Sequence, residues 1–131
     1  MRELEFDFEK LEVYKWGMEF VDEAFKMTEG FNQRIQFSLG DQFRRAALSI
    51  CNNIAEGAGK KTHNAKIQMY GYALDSAREC IPMITLSLKR QYIDESEYDA
   101  LRGQIISICN MLAKLMQSVR RTQPLTLHLS P

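Results

Sequence analysis

The sequence predicts an all-α protein, an antiparallel up-down four-helix bundle, with residues 1–122 as a single domain. Apolar residues recur three or four positions apart along nearly the whole chain, whereas strand-like alternation is scarce. Only three prolines occur in 131 residues, and one of them, Pro82, lies inside a helical segment. Long helices joined by mostly short connections favour antiparallel packing of neighbours.

The first helix is predicted to run from about Glu3 to about Thr28. One apolar stripe follows steps of three, four or seven residues and consists of Leu4, Phe8, Leu11, Met18, Val21 and Phe25. A second stripe repeats every seven residues and consists of Phe6, Val13, Phe20 and Met27. Two stripes exceed what one packing seam requires, so the second stripe is a candidate interface between protomers. The alternative is that both stripes pack against helices of the same chain.

The second helix is predicted to begin near Gly40 or Asp41 and to end near Glu56. The segment before it, residues 29–39, contains glycine and asparagine and is typical of a connection. Glycines 57 and 59 supply the helix stop. The predicted core positions are Phe43, Ala47, Ile50 and Ile54.

The third helix is predicted from the N-cap residue Thr62 to about Arg90. Its apolar positions continue in register past Pro82, which predicts one helix with a kink rather than two helices. These positions are Ile67, Tyr70, Leu74, Ala77, Ile81, Ile84 and Leu88.

Asp94 is the predicted N-cap of the fourth helix, and Arg120 and Arg121 lie where its negative end favours cations. Its apolar stripe consists of Tyr98, Leu101, Ile105, Ile108, Leu112, Leu115 and Val119. Residues 123–131 show no helical periodicity, and we expect a loosely ordered tail.

The formal net charge is zero, so a basic field over the whole protein that would attract nucleic acid is absent. The charge is nevertheless uneven along the chain. Residues 1–32 hold nine acidic and four basic residues, whereas residues 33–93 hold nine basic and four acidic ones. This asymmetry suits self-association between copies, and it equally suits internal neutrality.

Little in the sequence indicates catalysis, and we expect no enzyme activity and no metal or cofactor. Cys51, Cys80 and Cys109 lack the spacing of a metal or redox site and are interpreted as reduced core residues. The two histidines, His63 and His128, lack the spacing of metal ligands. The first ten residues lack the apolar region of a secretion signal, and no apolar run is long enough to span a membrane, so a cytoplasmic location is expected.

The most unusual segment is the polar flank of the second helix. It follows steps of three or four residues and consists of Arg45, Ser49, Asn52, Asn53 and Glu56. The natural partners on the third helix are Ser76, Arg78 and Glu79. An unpaired polar group in a helix seam costs about 1–3 kcal/mol, so one interpretation is a hydrogen-bonded network that sets the pairing of these helices.

A second interpretation of the same region is functional. A basic patch for RNA or an acidic partner is predicted to consist of Arg44, Arg45, Lys60, Lys61 and Lys66. The two interpretations share Arg45, and the sequence leaves both open.

The second-helix segment also resembles a known family. Its residues Asp41-Gln42, Arg44-Arg45-Ala46, Ser49-Ile50 and Asn53-Ile54-Ala55-Glu56-Gly57 are similar to the signature of a bacterial four-helix-bundle family. Residues 8–14 and 73–79 resemble the family's first and third helices. Members include the protein encoded in intervening sequences of large-subunit ribosomal RNA genes and Avd, the accessory protein of diversity-generating retroelements.

The resemblance implies a left-handed up-down bundle that often assembles as a barrel-like homopentamer, and it does not imply an enzyme. For the retroelement branch it implies binding to a reverse transcriptase and to nucleic acid through a strongly basic surface. The zero net charge departs from that pattern. We therefore expect a non-enzymatic oligomeric binding or accessory protein, engaging RNA or a reverse transcriptase, with a self-assembling scaffold without nucleic-acid contact as the alternative.

Overall fold

The computed structural model describes residues 5–122 and contains four long helices. They are α1 (Glu12–Glu29), α2 (Asp41–Ala58), α3 (His63–Lys89) and α4 (Glu95–Arg121). No β-strand occurs within residues 5–122. Each helix packs antiparallel against the next, and α4 also packs against α1. The predicted four-helix bundle is therefore confirmed; its handedness stays a prediction, and the predicted tail, residues 123–131, lies outside the described residues.

The core lies on the bundle axis and draws on all four helices. Phe20 of α1 meets Phe43 of α2 edge to face, with ring centroids 5.8 Å apart. The largest fully buried aliphatic side chains are Ile50, Ile54, Ile84, Ile105, Ile108 and Leu112. All six are core positions that the sequence predicts for the second to fourth helices, because each of those helices carries one apolar stripe.

The first helix begins at Glu12 rather than near Glu3. Phe6 and Leu11 are extended, and Asp7–Lys10 forms a short 3-10 turn between them. The backbone N–H of Phe6 donates to the Glu9 carboxylate at 2.9 Å, which closes this turn locally. The apolar spacing of this segment predicts one continuous helix, but the 3-10 turn and the extended backbone at Leu11 interrupt it before Glu12.

The interpretation of the second stripe as an interface between protomers is wrong for Val13 and Phe20, which follow the alternative of packing within their own chain. Its buried face consists of Val13, Gly17, Phe20, Val21, Ala24 and Thr28, which mixes members of both stripes. Val13 and Phe20 are buried in the core of their own chain and leave almost no surface for another protomer. Met27 is half-buried, and Phe6 is 68% exposed. A straight helix repeats every 3.6 residues, so a seven-residue repeat drifts across the buried face.

The connection predicted at residues 29–39 is helical from residue 33. Asn32 caps a short turn at Gln33–Ile35 by accepting a hydrogen bond from the Ile35 N–H at 3.2 Å. A π-helical turn, Gln36–Gly40, then continues directly into α2. The predicted connection is confirmed at residues 30–32 and is wrong from residue 33, because Asn32 caps a new helical turn.

The remaining helix ends follow their predicted caps. Thr62 accepts a hydrogen bond from the Ala65 N–H at 3.1 Å, and Asp94 accepts one from the Glu97 N–H at 2.8 Å. The third helix continues through Pro82, whose side chain is exposed. The prediction of one helix is therefore confirmed, and the kink at Pro82, which has no backbone N–H to donate, stays a prediction.

Candidate functional site

The seam between α2 and α3 holds a small polar network. The hydroxyls of Ser49 and Ser76 lie 2.8 Å apart. The amide of Asn53 donates to the Ser49 carbonyl at 2.9 Å and to its hydroxyl at 3.0 Å. Ser76 is buried, and its hydroxyl is satisfied by this contact. These three residues therefore tie the second helix to the third at mid-length.

The other five residues predicted for this network lie outside it. Arg45 pairs with Asp41 on its own helix at 3.1 Å, and its side chain is 80% exposed. The four remaining side chains, Asn52, Glu56, Arg78 and Glu79, are all exposed. The prediction of an eight-residue buried network is wrong for these five. Neighbouring helix positions differ by about 100° around the axis, so a residue next to a seam position already faces solvent.

The two helices approach most closely at Gly57. A β-carbon placed there would lie 2.6 Å from Cε1 of Tyr70, a distance that side chains do not tolerate. Tyr70 is buried, and burial raises the pKa of its phenol. Gly57, predicted as a helix stop, lies inside α2 and is needed because the Tyr70 ring occupies the space of a side chain.

The predicted basic patch is divided between the two ends of α2. Arg44 is half-buried and donates to the side-chain oxygen of Gln36 at 3.0 Å and to its carbonyl at 3.1 Å. It also lies over the ring of Phe25, 5.9 Å from the centroid. Arg44 therefore holds the π-helical turn against α1 and α2 and has little freedom to bind a partner.

The lysines of the predicted patch lie at the far end of the same helix. Lys66 donates to the Ala58 carbonyl at 2.9 Å and so caps the C-terminal end of α2. Lys60 and Lys61 are exposed in the turn between α2 and α3. Arg45 lies thirteen positions before the last residue of α2, Ala58, or about 20 Å at 1.5 Å per residue, and Lys60 follows that end, so the five residues do not form one patch.

A different basic cluster forms at the end of the bundle. His63 Nε2 and Thr122 Oγ1 lie 3.2 Å apart, which joins the start of α3 to the end of α4. This contact brings Arg120 and Arg121 to the same end as the two lysines of the α2–α3 turn. We call Lys60, Lys61, Arg120 and Arg121 the basic end. The sequence predicts only that both arginines are favoured at the negative end of the last helix. It does not reveal the cluster, because Lys61 and Arg120 are 59 positions apart in the chain.

The basic end is available for contacts. All four of its side chains are exposed, and none of them takes part in the ion pairs found among residues 5–122. The carboxylates of Asp7, Glu9 and Glu12 lie at the same end but belong to α1 and its leading turn. α1 is diagonal to α3 but packs against α4, so this acidic segment neighbours the helix that carries Arg120 and Arg121.

The cysteines are placed for packing rather than for reaction. Burial raises the pKa of the Cys51 and Cys80 thiols to about 12, so both stay protonated at neutral pH. Burial also raises the pKa of Cys109. Within residues 5–122, no three His, Cys, Asp or Glu side chains are grouped as a metal site requires. In the same part of the chain, no helix combines the length and apolar character needed to cross a bilayer.

The chain is similar to one protein family and to a solved helical structure. A family model described as 23S rRNA-intervening sequence protein matches residues 9–114. The fold is similar to a crystal structure of a protein with unknown function from the S23 ribosomal protein family of Bacteroides thetaiotaomicron. That similarity has a TM-score of 0.74 at 22% identity and covers 79% of this chain and 97% of the other. At this identity the likeness shows the fold alone. No curated protein matches the chain.

Proposed function

Since this chain belongs to the 23S rRNA-intervening sequence protein family, we propose that it is a non-enzymatic protein that self-associates and binds RNA through its basic end. The observation that carries the RNA contact is the convergence of Lys60, Lys61, Arg120 and Arg121 from two separate segments. The buried, protonated thiols support a binding role rather than nucleophilic catalysis.

The chemistry of the basic end suits the phosphate backbone of RNA. Lysine and arginine neutralise phosphates and release condensed counterions, and this term requires no base-specific contact. The net charge of the whole chain is zero, so any attraction is local to this end and falls off within about 10 Å at ~0.1 M salt. The proposal therefore predicts weak, salt-sensitive binding that depends on these four side chains.

The test is an electrophoretic mobility shift with a single-stranded ribosomal RNA fragment at several salt concentrations. Contacts to four phosphates predict a slope of about −3 in log affinity against log salt for single-stranded RNA. Binding should weaken about 50-fold between ~50 mM and ~200 mM salt. The double variant Lys60→Gln/Lys61→Gln should reduce the slope to about −1.4.

A matched control is present at the opposite end of the bundle. Lys89 and Arg90 are adjacent, exposed cations at the end of α3, far from the basic end. The variant Lys89→Gln/Arg90→Gln removes the same charge from the chain and should leave the slope unchanged. RNA whose mobility is unaltered by micromolar wild-type protein at ~50 mM salt would show that the RNA proposal is wrong.

A self-assembling scaffold without RNA contact is the second candidate function. Large apolar side chains that are 40% or more exposed occur on all four helices, which favours further protein contacts. If RNA does not bind while light scattering gives a mass above that of one chain, the scaffold is the better conclusion. A reverse transcriptase belongs to the first proposal as a protein partner for the basic end, tested by co-purification with the same two double variants.

A further inference from the structure

The seam between α1 and α4 is open along most of its length. Nearest the C-terminal end of α1, an open pocket of about 550 Å³ is lined by Glu23, Lys26, Met27, Ser96, Glu97, Ala100, Leu101 and Gln104. A second depression follows at Trp16, Glu19 and Gln104. We call this surface, from Glu12 to Met27 on α1 and from Ser96 to Gln104 on α4, the α1–α4 groove.

A protruding surface lies on the neighbouring side of the bundle, where the π-helical turn enters α2. Phe37 is 79% exposed, the highest exposure of any large apolar side chain among the described residues. Arg34 is exposed three residues before it, and Arg45 and Leu48 are exposed on the first half of α2, which continues directly from this turn. We call Arg34, Phe37, Arg45 and Leu48 the Phe37 ridge.

We propose that the Phe37 ridge of one copy docks into the α1–α4 groove of the next copy, with the Phe37 ring in the pocket beside Met27, Ala100 and Leu101. The inference rests on the self-association in the proposed function and specifies the two surfaces that meet. The contact is heterologous, because ridge and groove are different surfaces of the same chain.

The two surfaces are complementary in chemistry. The groove offers apolar atoms from Met27, Ala100 and Leu101 with a polar rim, and the ridge offers an aromatic side chain flanked by arginines. Buried aromatic and arginine side chains carry most of the binding energy in typical protein interfaces. A ring that keeps most of its surface in water gains hydrophobic stabilisation when it enters such a pocket.

The charges of the two surfaces are also complementary. The two depressions of the groove are lined by four carboxylates, Glu12, Glu19, Glu23 and Glu97, against Lys15 and Lys26. Lys15 already pairs with Glu12 at 3.8 Å, and Lys26 with Asp22 at 3.2 Å and Glu23 at 3.8 Å. Glu19 and Glu97 are the groove carboxylates that take part in none of the ion pairs found among residues 5–122. The ridge carries Arg34 and Arg45 against one carboxylate, Asp41. Opposite potentials of this kind fix the register of an interface.

The positions of the surfaces allow a closed ring. Phe37 follows the C-terminal end of α1, and the pocket beside Met27 lies at that same end, so ridge and pocket are at similar heights along the bundle. They lie on different sides, one beside the start of α2 and the other between α1 and α4. Head-to-tail contacts at equal height close into a ring when the rotation between copies divides a full turn, whereas a height offset produces a filament.

The test uses one variant for each surface and measures mass by light scattering. Phe37→Asp removes the ring of an exposed residue, and Ala100→Arg fills the pocket from an exposed position, so both chains should fold with wild-type circular dichroism. Each variant alone should elute at the mass of one chain, 15.2 kDa. The control Leu86→Asp changes another exposed apolar residue, on α3, and should keep the wild-type mass.

Mixing the two variants tests the head-to-tail arrangement. Phe37→Asp keeps an intact groove and Ala100→Arg keeps an intact ridge, so an equimolar mixture can form one contact and should give a species of twice the chain mass. No larger species should form, because the two remaining surfaces are both defective.

The outcomes separate this inference from the proposed function. A wild-type protein with the mass of one chain at ~100 µM, a concentration that detects even weak association, refutes the self-association and the docking together. An oligomeric wild type whose mass is unchanged by both Phe37→Asp and Ala100→Arg refutes the docking and leaves self-association standing. Two variants that each dissociate but do not pair when mixed refute the head-to-tail contact.

Discussion

Replacing Gly57 with alanine tests whether the close approach of α2 and α3 limits the stability of this bundle. The new β-carbon would lie 2.6 Å and 2.8 Å from two ring carbons of Tyr70 and 3.2 Å from the β-carbon of Met69. Tyr70 is only 3% exposed, so its ring cannot turn into solvent to relieve the contact. The helices must move apart or the ring must leave its preferred rotamer.

Two opposing terms decide the size of the effect. Alanine favours a helix over glycine by about 1 kcal/mol, which stabilises the variant. Inserting one carbon into a well-packed seam costs about 1–3 kcal/mol, and the rigid surroundings of Tyr70 place the cost near the upper limit. The free energy of unfolding should therefore fall by about 1–2 kcal/mol, or about 4–8 °C in Tm for a chain of this length.

The assay is urea and thermal unfolding followed by circular dichroism at fixed protein concentration. Gly103→Ala is the matched control, because Gly103 lies inside α4 and a β-carbon there meets no atom within 4 Å. The control should gain up to about 1 kcal/mol from helix propensity alone. If Gly57→Ala unfolds at the same Tm as Gly103→Ala, or higher, the argument from close packing is refuted.

Four further predictions follow from local contacts. A β-carbon at Gly17 would lie 2.8 Å from Cys51 Sγ, so Gly17→Ala should destabilise the protein by about 1–2 kcal/mol in urea unfolding. The double variant Gly17→Ala/Cys51→Ala should lose less stability than the sum of the two single variants, because the second change removes the sulfur that the new carbon contacts. Gln91 has a φ of 63°, so Gln91→Gly should raise the unfolding free energy by about 1 kcal/mol, whereas a lower Tm would contradict this. Ser76→Ala removes the hydroxyl contact across the α2–α3 seam and should lower the free energy of unfolding by about 1 kcal/mol in the same assay. An unchanged urea midpoint would show that this hydrogen bond does not stabilise the fold. Burial raises the pKa of the Cys51 and Cys80 thiols to about 12, so the folded state keeps both thiols protonated at pH values where the unfolded chain releases these protons. Stability should therefore be constant with respect to these thiols below pH 9 and fall between pH 9 and 12, and native Cys80 that reacts rapidly with Ellman's reagent at neutral pH would contradict the burial.

The basic residues show that nearness in the sequence does not predict nearness in the folded protein. Arg44, Arg45 and Lys60 are near each other in the sequence, but α2 separates them along its length and turns Arg44 inward toward Gln36. Lys61 and Arg121 are far apart in the sequence, yet the His63–Thr122 contact places their segments together. A sequence lists charges in chain order, whereas a site depends on which helix ends meet.

The sequence by itself determined the helical class, the four-helix count, the caps at Thr62 and Asp94, and most of the core of the last three helices. These features depend on periodicity and on hydrogen bonds between residues three or four positions apart, which are local.

The tertiary structure alone decided which face of α1 is buried, where the basic end forms and why position 57 needs glycine. The 3.6-residue repeat of α1 is compatible with more than one buried face, and its partners α2 and α4 select the one that includes Val13 and Phe20. Only contacts between distant segments can make that selection, because a single helix carries no information about the shape of the surface that it meets.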